Sequence, residues 1–214
     1  MLRRVVRVFD EKGGTYFIRL IYSIVRSRYM VKKYGYGGGL KLSESAYISG
    51  RRDIIIGKDV TIGKRSRIEA ISRHGERRYI PHLSIGKGTA INDDVHIACI
   101  SRVSIGEDVL MASRIYISDH NHGIYNGSNP DSPYNPPNNR PLSIQPVHIG
   151  SKVWLGEGVC VLPGVSIGDG AIVGANSVVT RNIPANSIAV GVPAQVIKVF
   201  KEELGTWIGV KKDG

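Results

Sequence analysis

The chain has 214 residues, enough for one sizeable core with short appendages, and its 42% hydrophobic and 22% charged content is that of a folded globular protein, not a disordered one. Its net charge of +11 is concentrated at one end: residues 1–80 hold 19 Lys and Arg against 7 Asp and Glu, leaving the remainder close to neutral. Two cysteines, Cys99 and Cys160, exclude a disulfide framework or zinc motif and read as small buried hydrophobes, and the opening MLRRVVRVFDEKGG lacks the apolar stretch and cleavage signature of a secretory leader, so a cytoplasmic location is expected.

Residues 1–45 form a basic segment in which 15–34 (TYFIRLIYSIVRSRYMVKKY) read as a helix. Five cations, Arg19, Arg26, Arg28, Lys32 and Lys33, make it a poor membrane span. Two roles fit: a cap on the open end of a repeat structure, or an interfacial helix on anionic lipid. The basic half as a whole fits an anionic neighbour such as a membrane surface, nucleotide phosphates or an acidic glycan, and equally a merely solvated surface.

From residue 46 to 197 an aliphatic residue recurs every six positions. The run is clearest from Ile149 through Leu155, Val161, Ile167, Val173 and Val179, usually with glycine next. A period of six is neither that of a flat strand nor that of a helix. It marks a coil of parallel strands in which each turn buries its face by stacking on the next. Triplets Ile56/Ile62/Ile68, Ile85/Ile91/Ile97, Ile105/Met111/Ile117, Ile149/Leu155/Val161 and Ile167/Val173/Val179 predict an all-β triangular prism with one short strand per side. The glycines, following this period, are expected as turn residues with positive φ rather than as a phosphate cradle. Residues 198–214 read as a short helix or tail.

Steps within triplets are all six, whereas those between triplets are 17, 8, 32 and 6. All irregularity thus falls after the third strand of a triplet, on one corner, where insertions in a repeat protein usually mark the working face. The smaller excursion, around 72–82, carries Arg73, Arg77 and Arg78. The larger, 118–148, is rich in Pro, Asn and Ser and predicts neither helix nor strand; loops of this length are lids or binding loops. It opens on Asp119-His120-Asn121-His122. Histidine titrates near neutrality and is the residue expected of a general base, and Asp119 is placed to orient an imidazole. A solvated turn and a metal site completed by a further ligand are the other readings of this pair. Trp154 precedes the inward Leu155 and so points outward, toward a subunit interface or a flat ligand, on a side away from the histidines. A trimer of prisms would bring one copy's loop edge to another's side.

The hexads, with I-S-D-H-N-H-G-I, V-W-L-G-E, L-P-G-V-S-I-G-D-G, V-G-A-N-S-V-V and I-A-V-G-V-P-A, resemble the left-handed parallel β-helix acyltransferases over about residues 46–197. Within them the sequence is similar to the maltose/galactoside acetyltransferase-like branch, and in particular to the bacterial lipopolysaccharide O-antigen O-acetyltransferases. The resemblance implies an acetyl-CoA-dependent O-acetyltransferase acting on a sugar hydroxyl, with no covalent intermediate and no metal, in a homotrimer whose active sites lie between subunits. It implies His122, seventeen residues beyond Ile105, as the catalytic base, with His120 in reserve, and Asn92, thirteen before Ile105, as an acceptor contact. Asp119 and Arg140 are expected beside the acceptor, Arg140 on acidic or phosphate groups. Trp154, Ala175, Thr180 and Arg181 match coenzyme positions; a carboxylate of sugar-specific relatives falls on Ile100, and a frequent Arg on Gln195. A backbone N–H would hold the developing oxyanion, a contact worth ~3–4 kcal/mol. N-acetylation of a nucleotide-linked amino sugar, a metal-dependent carbonic-anhydrase-like β-helix, and a non-catalytic assembly module are the alternatives.

Overall fold

In the computed structural model, residues 2–210 are described; Met1 and residues 211–214, the ends of the basic segment and of the tail, lie outside them. Between the two caps runs a three-faced coil of parallel strands, each face a stack of short strands taken in turn from successive coils. The predicted triplets are in register throughout. Ile56, Ile85, Ile105, Ile149 and Ile167 stack on the third face. Ile62, Ile91, Met111, Leu155 and Val173 stack on the first, and Ile68, Ile97, Ile117, Val161 and Val179 on the second. All are buried, and burial of each such side chain contributes roughly 1.5–3 kcal/mol.

The coil begins one turn earlier than the spacing suggested, with Leu42 on the first face and Ile48 on the second. The 3-10 turn Arg51–Asp53 then lengthens the second-to-third corner and hides this turn from a six-residue count. The glycines also differ from expectation. Those directly after an aliphatic residue are there for close approach, since a Cβ on Gly86 would lie 2.3 Å from the Gly106 carbonyl oxygen of the next coil. Positive φ falls two residues later, as at Gly88 (69°) and Asp108 (54°).

The N-terminal helix spans Leu2–Tyr34, broken at Gly13. It caps the first coil: Met30 joins the core, Ser23 bonds the Leu42 carbonyl, and Arg26 donates to the carbonyls of Ser43, Glu44 and Ala46. At the other end the expected helix or tail is instead an antiparallel hairpin, Gln195–Lys201 with Thr206–Gly209, laid on Ser187–Val190 as a continuation of the first face. It covers a sheet edge that would otherwise be open. Cys99 is buried as anticipated, its thiol pushed up to about 12 by burial, but Cys160 faces outward on the second face and is only half-buried.

Candidate active site

Both excursions leave the coil at the corner between the second and third faces. The smaller forms a two-stranded hairpin, Arg73–His74 with Arg77–Arg78. The larger is not structureless at its root, because His120–His122 pairs antiparallel with Leu142–Ile144. The pairing is anchored on the coil: the Gln145 amide donates to the Asp119 carbonyl at 2.8 Å, and the Gly164 amide of the next coil donates to Gln145 at 3.0 Å. Local composition rejects strand here, but these tertiary bonds fix two short ones.

Asp119, expected among the acceptor contacts, has no accessible surface. Its carboxylate accepts the backbone N–H groups of Ile100 (3.0 Å), Ser101 (2.8 Å) and Arg102 (2.8 Å), at the widened corner of the coil below, and the Nδ1–H of His120 (2.9 Å). Burial pushes this carboxyl up, but the bonds from His120 and the three amides outweigh it and hold it below the ordinary carboxylate value. Asp119 therefore lies beneath the surface, behind the His120 ring to which it is bonded.

The two histidines differ in access. The His120 side chain is only 10% exposed and tied to Asp119, whereas His122 is exposed. The His122 Nδ1 lies 3.3 Å from the Pro137 carbonyl oxygen. A carbonyl can only accept, so Nδ1 carries a proton, and in the neutral imidazole the lone pair is then on Nε2. A third imidazole, His74 of the smaller hairpin, packs edge-on against His122 with ring centroids 5.1 Å apart, and its Nε2 donates to the Asn138 carbonyl at 3.1 Å. Sequence reasoning passed over His74. The signal that could have found it was its place in the other excursion of the same corner.

Arg140 is spent inside the loop. It donates to the carbonyls of Asn135 and Pro133 and to the Tyr125 hydroxyl at 2.8 Å, and that hydroxyl donates in turn to the His122 carbonyl. It is a clamp on the loop that carries His122, not an open anion contact.

The remaining expected residues fall elsewhere. Thr180 and Arg181 are exposed at the histidine corner, two coils further on. Asn92 and Ala175 are exposed at the corner between the first and second faces. Trp154 stands outward on the first face, 49% exposed, in register with Leu110 and Ile172. In a triangular section the second–third corner is opposite the first face, so a single copy cannot bring His122 and Trp154 together. Among the described residues no group of three or more His, Cys, Asp and Glu side chains is placed to hold a metal ion.

Residues 146–181 match the bacterial transferase hexapeptide model, described as six repeats. Over 95% of this chain and 98% of its own length, WbbJ of Escherichia coli K12, a protein assigned to lipopolysaccharide biosynthesis as an O-acetyltransferase, is 40% identical. The galactoside O-acetyltransferase of the same organism is 33% identical over 58% of this chain and 57% of that protein. Among solved structures, the N-acyltransferase AntD of Bacillus cereus, crystallised with dTDP-4-amino-4,6-dideoxyglucose and coenzyme A, superposes with a TM-score of 0.58 at 26% identity, covering 83% of this chain and 91% of that one. With three-faced coils, hexad register and a full-length relative in agreement, the chain belongs to the bacterial hexapeptide-repeat acetyltransferases.

Proposed function

We propose that the protein transfers the acetyl group of acetyl-CoA to a sugar hydroxyl during assembly of O-antigen or another surface polysaccharide, as a homotrimer of left-handed β-helices. The observation that carries this reading is the exposed His122 imidazole, whose bond to the Pro137 carbonyl leaves Nε2 as a base on a walled corner. In this reading Nε2 takes the proton of the acceptor hydroxyl as its oxygen attacks the thioester carbonyl; the proton then passes to the departing thiolate. The His120–Asp119 pair fixes the strand on which His122 stands and places a buried negative charge beneath the imidazoles, which favours the cationic form of the base in the transition state.

Coenzyme and acceptor meet between copies in this proposal. Trp154, Leu110 and Ile172 form an outward apolar row suited to the pantetheine arm, and Ala175 lies at its edge. Thr180 and Arg181, at the histidine corner of the facing copy, complete the groove, while Asn92 reaches the acceptor from the first–second corner. The assembly works on the cytoplasmic side. No helix among the described residues is long and apolar enough to cross a membrane. Peripheral contact rests on the N-terminal helix, whose face away from the coil exposes Ile18 (69%), Ile21 (46%), Tyr22 (55%), Val25 (59%) and Tyr29 (51%), with Arg28, Lys32 and Lys33 also exposed on the helix. Loss of binding to anionic vesicles at low salt would remove that part.

The test of the activity is thiol release from acetyl-CoA with and without a panel of sugars. Acceptor-dependent release is expected; failure to bind coenzyme A overturns the reading. A second reading, N-acetylation of a nucleotide-linked amino sugar, is favoured by the likeness to the Bacillus N-acyltransferase. It prevails if amine acceptors turn over and hydroxyl acceptors do not.

A further inference from the structure

The smaller excursion is not used by the mechanism above, yet it abuts the base. Its hairpin sets Arg73 opposite Arg78 and His74 opposite Arg77 in register. Like charges directly opposite across an antiparallel pair oppose its formation, so this hairpin is formed against its own electrostatics. Neither Arg77 nor Arg78 makes an ion pair among the described residues, and both are exposed; Arg73 only bonds back to the Gly75 carbonyl, at 2.9 Å. The cations are nevertheless not adrift. Through His74 the hairpin is docked on the His122 ring and on the Asn138 carbonyl of the long loop. Arg77 therefore stands one cross-strand pair, about 5 Å, from a side chain touching the base.

Such a cluster favours an anionic ligand over a neutral glycan. A planar guanidinium matches phosphate oxygens in bidentate fashion, and Arg73 and Arg78, a cross-strand pair on one face of the ribbon, suit two linked phosphates, while Arg77 lies on the His74 face. Arg140, on the long loop of the same corner, is committed to loop carbonyls and the Tyr125 hydroxyl and does not compete for the role. We propose that the Arg73–Arg78 hairpin binds the diphosphate of a carrier-linked sugar, so that the acceptor is acetylated while still attached to a nucleotide or a polyprenyl diphosphate; this rests on the sugar acetyltransferase reading. The hairpin holds the charged end while the sugar hydroxyl reaches His122.

The experiment is calorimetric titration of the full chain with inorganic pyrophosphate, coenzyme A being present at saturation so that any diphosphate site of its own is filled. Wild type is expected to bind, and Arg73→Gln/Arg78→Gln to bind weaker by on the order of tenfold or more, since charge-assisted bonds of this kind are each worth about a factor of ten. Two further arms separate the carriers: UDP-glucose against glucose joined by diphosphate to a short polyprenyl chain, with methyl glucoside as the uncharged control. Whichever arm is more strongly weakened by the double substitution names the carrier. No binding to wild type, equal binding to the double variant, or binding abolished by coenzyme A would each overturn the proposal, the last by assigning the arginines to the coenzyme. If coenzyme A itself failed to bind, the acetyltransferase reading would fall, while the pyrophosphate titration would still report on the hairpin.

Discussion

Asp119→Asn tests whether a buried carboxylate, and not merely a buried polar atom, holds the histidine corner. The wild-type carboxylate receives four hydrogen bonds, from the amides of Ile100, Ser101 and Arg102 and from His120. Asparagine keeps one carbonyl oxygen for these donors and turns an NH2 group toward the rest, so charge assistance is lost and at least one buried donor is left without a partner. Removing one member of a buried charged network costs about 3–5 kcal/mol, and we expect a loss in that range at pH 7. The pH dependence follows from the carboxyl being held below its ordinary value. Its contribution is complete above the unfolded value of about 3.9 and disappears as pH falls through the folded value, whereas asparagine does not titrate. Urea midpoints of the two proteins, measured at one protein concentration because assembly contributes to stability, should be clearly separated at pH 7 and at pH 5. Below about pH 4 that gap should close. An undiminished gap at pH 3, or none at pH 7, would refute the assignment of the carboxylate charge as the stabilising element.

Three other outcomes are expected. His122→Ala should lower acetyl transfer by about 10²–10⁴-fold with little change in unfolding midpoint, and survival of activity in it but not in His120→Ala would move the base by two residues. Trp154→Ala should raise the KM for acetyl-CoA about three- to tenfold with kcat nearly unchanged, as for loss of one stacking contact; an altered oligomeric state with KM intact would make it an interface residue instead. Gly86→Ala drives a Cβ to 2.3 Å from the Gly106 oxygen and should cost about 1–3 kcal/mol by denaturant unfolding, whereas a neutral result would mean the coils can separate there.

The inward stacks could be read residue by residue, because six-residue spacing and an aliphatic opener are all that a coil of short parallel strands requires. What the spacing missed was set by tertiary demands. The first turn was hidden by the eight-residue step from Ile48 to Ile56, across the Arg51–Asp53 turn. The C-terminal hairpin has a core-like pattern only against the last coil, whose edge it must cover. At the site, the identity of the acting residues was legible but their depth was not. Asp119 and His120 adjoin His122 in sequence, yet an alternation of one residue at the root of the loop sends the carboxylate inward and leaves His122 at the surface. The docking of His74 on His122 joins two excursions 48 residues apart, and no local pattern encodes it.

The position of the working corner, by contrast, is written in the residue that follows each aliphatic opener. After the five strand residues stacked on the third face that position is glycine: Gly57, Gly86, Gly106, Gly150 and Gly168. A Cβ on any of them would meet the next coil at 2.3–2.5 Å, so that corner admits neither side chain nor insertion. The first–second corner is mixed, with Gly63, Gly156 and Gly174 beside Asn92 and Ala112. The second–third corner has none: its residues are Glu69, Ala98, Ser118, Leu162 and Thr180. At that position the coils do not require a glycine, and side chains from Ala98 to Leu162 and Glu69 are accepted there. A stack of coils can lengthen only where its corner is open, and only there can a loop leave and return without forcing the coils apart. Both excursions, the buried carboxylate that ties them to the coil below and all three clustered imidazoles lie on that corner, so the same packing that closes the other two edges directs the chemistry to this one.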